Sequence, residues 1–246
     1  MRSILTVVLA CLALASVGFA EDRPVGIPES YRLLYSQDFS KPEALGDFVM
    51  TDASAWRLAE ATDKDPPALE LHKQSKYTPA VRSPLNIALV GGEVFGDCII
   101  EAECLQTGKE YGHRDMVIFF GFEKPDQYYY THIATKGDDH ANQIFIVNKN
   151  PRLKISTKTN VGNNWGLNVW HKVRVDRRPS DGTIKVYFDD LETPIMEAND
   201  KTFGKGWVGF GSFDDTGKVT RVRVWGTEVE KKSAPPFVSS AETRNK

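Results

Sequence analysis

The chain has 246 residues, with 31 Lys+Arg against 33 Asp+Glu for a formal net charge of −2, and 11% aromatic residues (5 Trp, 8 Tyr, 13 Phe). That composition is too apolar and aromatic for a disordered chain and not basic enough for a nucleic-acid binder. The length suits one large all-β unit, and it can bury a core without disulfides or metals.

Arg2 precedes an uncharged apolar run, Ile4 to Ala20, which leaves through the small residues Gly18 and Ala20 before charge resumes at Glu21. Residues 1–20 therefore read as a secretory signal peptide, followed by a lead-in over 21–30. The alternative is a membrane anchor, but 17 residues lie at the short edge of a bilayer span. A lipoprotein reading through Cys11 is weaker still, because the apolar run continues past it. The mature chain keeps Cys98 and Cys104. Six residues along one strand set them about 20 Å apart, beyond disulfide reach, so they read as buried thiols. An exported chain without a disulfide points to a bacterial periplasm or surface, with no membrane association after cleavage.

After the leader, no window carries a helical apolar period. Short strand-like segments follow one another instead. Val94 to Leu105 is entered through Phe95-Gly96-Asp97. Met116 to Phe122 is apolar throughout, as in a strand covered on both faces. It ends at the turn Lys124-Pro125-Asp126. Gln127 to Ala134 and Gln143 to Val147 come next. Trp170 to Arg177 alternates, with His171, Val173 and Val175 on one face. A tight turn, Arg178-Pro-Ser-Asp-Gly182, joins it to Thr183–Asp189 as a hairpin. Trp207–Phe213 and Val219–Trp225 read as a second pair around Asp214-Asp215-Thr216-Gly217. Gly204-Lys-Gly-Trp-Val-Gly209 matches a dinucleotide-binding string, but a strand and no helix follows it. The fold class is all-β, a two-sheet antiparallel sandwich over 31–226, with an unstructured tail over 227–246.

Several segments together resemble the concanavalin A-like lectin/glucanase superfamily of jelly rolls. They are Leu34-Tyr-Ser-Gln-Asp-Phe39, Phe95-Gly-Asp97, Phe119-Phe-Gly-Phe122 with Tyr128-Tyr-Tyr130, Val169-Trp-His-Lys-Val-Arg-Val175, Ile184-Lys-Val-Tyr-Phe-Asp189 and Gly206-Trp-Val-Gly-Phe-Gly-Ser212. Within it the chain is most similar to the 3-keto-disaccharide hydrolase-like domains of secreted bacterial proteins, with laminin-G-like domains as near relatives. The resemblance implies a curved jelly roll that acts on carbohydrate: a glycan-processing hydrolase, or alternatively a non-catalytic, lectin-like carbohydrate-binding module. It also implies a structural Ca²⁺ where the first and last strands meet, with Asp38, Asp214 and Asp215 as ligands; no other cofactor is required. An ordinary Asp-Thr-Gly turn is the alternative for the last two. Retaining glucanases of the superfamily carry Glu-x-Asp-x-(x)-Glu on one strand. This chain departs from that pattern, and its nearest match is Glu101-Ala-Glu103.

The residues themselves suggest a site on the central strands. Tyr128, Tyr130 and His132 at i, i+2, i+4 share one sheet face, with Gln143 on the next strand and Arg114 just before the apolar strand. Aromatic planes beside an imidazole, an amide and a guanidinium suit a pyranose, whose CH face stacks on rings while its hydroxyls hydrogen-bond. The alternative packs Tyr128 and Tyr130 in the core. Tyr130, His132 and Arg114 would also be the groups of a uronate lyase, and Glu101, Glu103 and His132 are the candidates for hydrolysis. Trp56 and Trp165 are further candidates for an exposed sugar platform.

Overall fold

The computed structural model describes residues 23–234 and 237. The proposed signal peptide and the end of the tail lie outside them. The strands in chain order are β1 (Arg32–Gln37), β2 (Phe48–Met50), β3 (Trp56–Ala59), β4 (Ala68–Leu71), β5 (Asn86–Val90), β6 (Glu93–Phe95), β7 (Cys98–Gln106), β8 (Asp115–Lys124) and β9 (Gln127–Ala134). They continue with β10 (Gln143–Asn148), β11 (Leu153–Lys154), β12 (Lys158–Thr159), β13 (Trp170–Arg178), β14 (Thr183–Phe188), β15 (Met196–Asn199), β16 (Trp207–Ser212), β17 (Gly217–Gly226) and β18 (Val229–Lys231). Two short 3₁₀ turns, Pro42–Asp47 and Ala53–Ala55, are the helical elements among the described residues, and none of these is long and apolar enough to cross a membrane.

The strands form two large antiparallel sheets. The nine-stranded sheet runs β12-β15-β14-β13-β7-β17-β4-β3, with β1 also paired to β17. The seven-stranded sheet runs β11-β10-β9-β8-β16-β5-β2, and β18 pairs β6 in a small third sheet. The fold is thus the expected sandwich, and the β13–β14 hairpin forms where it was expected. Two expectations need correction. β16 and β17 do not pair with each other: β16 lies between β5 and β8, whereas β17 lies against β7 in the opposite sheet. The Asp214–Gly217 segment therefore crosses between sheets. Residues 229–231, inside the segment expected to be unstructured, form β18 on β6.

Between the sheets lies one core. Ile100, Ala102, Val173, Val175, Val222 and Val224 face Ile118, Phe120, Tyr129, Ile144, Ile146 and Phe210. Cys98 and Cys104 join it as free thiols, and burial pushes the Cys98 thiol up to about 12. Trp56 and Trp165 also pack here, 4% and 1% exposed, so neither is a sugar platform. Arg177 closes the end of this core. It donates to the carbonyls of Asp200 (2.9 Å) and Phe203 (2.6 Å) and lies 4.8 Å from the Tyr129 ring centroid.

Both faces of the seven-stranded sheet are covered. Gly121 takes φ +53° at an irregularity in the β8–β9 register. That bulge turns Phe122 to the same outer face as Phe119 while Phe120 stays inside. Gly209 and Gly211 on β16 leave the room that the neighbouring strand and the Phe119 ring occupy. A Cβ on Gly211 would lie 1.9 Å from the Asn86 carbonyl oxygen, whereas one on Gly204 would meet nothing within 4 Å. Gly211→Ala is expected to destabilise the chain by about 1–3 kcal/mol or more, and Gly204→Ala by less than about 0.5 kcal/mol, as read by urea denaturation.

Candidate functional site

The pleat sets two rows of side chains on the outer face of the seven-stranded sheet. One runs Phe145, Tyr130, Phe119, Gly209, Leu89 and the other Gln143, His132, Val117, Gly211, Ile87. The first row is the middle of a second apolar cluster with Phe122, Tyr128 and Trp207, under a cover that includes Val81, Ala234 and Phe237. Phe122 stacks on Tyr128 at 4.6 Å between ring centroids, and Tyr130 on Phe145 at 5.2 Å. Tyr128 and Tyr130 are 0% exposed. The expected stacking platform is therefore corrected: these rings are packed against phenylalanines and present no free face. Tyr129, on the opposite side of the strand, is equally buried in the inter-sheet core.

The second row ends in polar groups. His132 and Gln143 are brought together as cross-strand partners, and both are buried. Gln143 Nε2 donates to the Asp138 carbonyl at 3.0 Å, while the Asp138 carboxylate holds His113 at 2.6 Å. His132 Nε2 lies 3.6 Å from Asp115 Oδ2. Burial, helped by the charges of Arg152 and His113, pushes the His132 imidazole down to about 3. Asp115 is fully buried and accepts from Ser212 Oγ (2.7 Å) and the Phe213 N–H (3.1 Å). Burial and the neighbouring Asp215 raise its carboxyl well above the usual carboxylate range. Asp215 Oδ2 accepts from the Asp115 N–H (3.0 Å) and from Tyr111 Oη (2.9 Å), and its carboxyl too is raised by burial. The group is buried, with both aspartates accepting hydrogen bonds while His132 Nδ1 finds no partner. Arg114 is also buried, with Glu110 3.5 Å away, so its guanidinium does not reach the surface.

What does reach the surface was not singled out in the sequence. Phe213 follows the last residue of β16 and is partly exposed. The partly exposed Arg152, in the β10–β11 turn, sets its guanidinium 4.4 Å from the Phe213 centroid and 4.6 Å from that of Phe145, and donates to Tyr130 Oη at 3.0 Å. Arg82, exposed in the segment between β4 and β5, lies 6.0 Å from the Phe213 centroid. The Arg152 N–H donates to the Arg82 carbonyl at 3.1 Å, tying the two segments together. Phe213 was legible only as the end of an apolar strand, and Arg152 as one charge beside a proline.

Ligand oxygens of Asp115, Asp214 and Asp215 lie within 4.8 Å of one another. Asp38 is not among them. Its carboxylate accepts from the Ser40 N–H (2.9 Å) and hydroxyl (2.7 Å), just after β1, whose pairing with β17 covers Val222–Gly226, away from the residues that precede that strand.

Glu101 and Glu103 lie on the other side of the molecule, on the outer face of the nine-stranded sheet. One cross-strand row reads Tyr187, Arg174, Glu101, Arg223, Ser36. Glu101 accepts from Arg174 Nη2 (2.6 Å) and Nε (3.1 Å) and from Trp225 Nε1 (3.1 Å), with Arg223 at 3.7 Å. Glu103 is held by Arg221 at 2.8 Å. Both glutamates line a cavity of about 450 Å³ with Lys172 and Asp189. Each is tied to its own arginine.

No protein-family profile matches the sequence, and no curated protein matches it. Solved structures share its fold. A carbohydrate-binding module from Bacillus subtilis superposes with a TM-score of 0.51 at 15% identity, over 73% of this chain and 96% of that one. A Bacillus subtilis protein of unknown function with a galectin-like fold gives 0.51 at 11% identity, over 79% and 97%. The chain shares the fold of these structures, an all-β two-sheet jelly roll.

Two pairs of variants test these assignments. Glu101→Ala leaves a buried arginine unpaired and is expected to destabilise the chain by about 3–5 kcal/mol. Glu103→Ala, whose partner Arg221 is 59% exposed, should change stability by less than about 1 kcal/mol. The second pair concerns pH. Asp115 takes up a proton on folding, so its contribution is present at low pH and fades as pH rises above the ordinary aspartate value of about 4. His132 sheds one, so its contribution is present above about 6.5 and is lost as pH falls toward 3. In urea denaturation between about pH 4 and 7, the advantage of the wild type over Asp115→Asn should shrink with rising pH. Its advantage over His132→Asn should shrink with falling pH.

Proposed function

We propose that this chain is an exported, non-catalytic carbohydrate-binding module, with its ligand at the polar end of the outer face of the seven-stranded sheet. The observation that carries this reading is the surface group formed by Phe213 and Arg152, an apolar ring edge beside free guanidinium donors. Sugar recognition combines those two properties, CH groups against an aromatic ring and hydroxyls on planar donors. The fold supports it, since the Bacillus subtilis structure that shares it is a carbohydrate-binding module. Export rests on the apolar segment before Glu21.

Hydrolysis of the 3-keto-disaccharide type has less support. Glu101 and Glu103 are bound in ion pairs, and His132 is buried and held neutral. A lyase reaction through Tyr130, His132 and Arg114 meets the same objection, as all three are buried. A structural Ca²⁺ belongs to the reading in altered form. Asp115, Asp214 and Asp215 would hold it, with Asp215 and Asp214 from the expected set and Asp115 in place of Asp38. Three close carboxylates are the hard-oxygen donors that the ion takes.

The test is a glycan array, run in calcium and in chelator, with a product assay on 3-keto and ordinary disaccharides. Binding without turnover is expected, weakened by about tenfold, or 1.4 kcal/mol, in Phe213→Ala. Released sugar would return the chain to the hydrolases, and binding unchanged in Phe213→Ala would move the site elsewhere.

A further inference from the structure

Six of the eleven described arginines have a carboxylate within 4.0 Å. Arg57 pairs with Glu70, Arg114 with Glu110, Arg174 and Arg223 with Glu101, Arg178 with Asp176 and Arg221 with Glu103. Arg82 and Arg152 do not; of the other three, Arg23 and Arg177 donate to backbone carbonyls and Arg32 is exposed. Among the described residues no carboxylate lies within 4.0 Å of either, although the two are neighbours on one surface group. The acids around them are engaged elsewhere. Asp138 holds His113, Asp139 holds Lys154 at 2.6 Å, and Asp115 is buried among donors from Ser212 and Phe213.

The two guanidinium groups lie 6.0 and 4.4 Å from the Phe213 ring centroid, with no carboxylate partner of their own. The Arg152 group is also fixed. The Arg152 guanidinium is pinned by two rings and the Tyr130 hydroxyl, and its backbone is bonded to Arg82. A pinned guanidinium whose remaining N–H groups are unused is a preorganised receptor for a planar or tetrahedral anion, which it can take in bidentate fashion. We infer that the saccharide recognised at this face is acidic, and that Arg82 and Arg152 bind its carboxylate or sulfate group while Phe213 contacts the ring. The inference rests on the carbohydrate-binding reading and narrows it to anionic sugars.

The experiment measures binding of the full chain by calorimetry to four probes. They are oligogalacturonate, its methyl-esterified form, a sulfated galactan oligosaccharide and neutral laminarin oligosaccharides. The expected result is that oligogalacturonate, the sulfated probe or both bind at least about tenfold tighter than the esterified and neutral probes. Arg82→Gln and Arg152→Gln should each remove most of that preference, with Arg82→Lys keeping part of it. Arg82 is exposed, so its variant should melt as the wild type does, which keeps the test valid even where Arg152→Gln perturbs folding. The carboxylate and sulfate arms tell which anion is preferred. Equal binding of esterified and acidic probes would overturn the inference and leave carbohydrate binding standing. So would an acidic preference that survives both Gln variants. Absence of binding to all four probes would overturn the carbohydrate reading itself.

Discussion

The aromatic layer on the outer face of the seven-stranded sheet is the constraint on which the rest depends. Phe119, Phe122, Tyr128, Tyr130 and Phe145 interlock there by stacked and edge contacts. Each such side chain removes on the order of 150–250 Å² from water, so β8 and β9 are anchored from both sides. The layer also decides where a ligand can bind. It fills the middle of the face, and it supplies the Phe145 ring and the Tyr130 hydroxyl that hold Arg152 at the open end.

Below that end lies the buried group of Asp115, His132 and Asp215. Its role is architectural. Asp115 takes the Ser212 hydroxyl and the Phe213 N–H, and Asp215 takes the Asp115 N–H. Together these bonds fix the point where the chain leaves β16 for the opposite sheet, and so they fix Phe213. Burial keeps the His132 imidazole neutral and raises the Asp115 and Asp215 carboxyls. On the nine-stranded sheet the charged lattice around Glu101 does the comparable work for β7, β13 and β17.

Much of the fold was legible in the sequence because strand signals are local. The apolar run over β8 announced coverage on both faces, and the turn at Arg178–Gly182 announced its hairpin. The pairing of β16 with β17 was misread because proximity in sequence stood in for sheet membership. Which sheet a strand joins depends on pairings with β5, β7 and β8 that span 85 or more residues, as Trp207 with Phe122 does. The site was less legible. Period-two spacing placed Tyr128, Tyr130 and His132 on one face correctly, but it cannot say whether that face is open. Here the cover includes Val81 and Phe237, which are 156 residues apart in the sequence. Arg82, Arg152 and Phe213 carry no local pattern at all, because three separate segments bring them together.

Residue-resolved NMR during titration with a saccharide that the chain binds tests the central claim most directly. The account predicts that the largest amide shifts fall at Arg82, Gln143, Arg152 and Phe213. Shifts confined to Glu101, Glu103 and Arg221, around the cavity of the nine-stranded sheet, would contradict it.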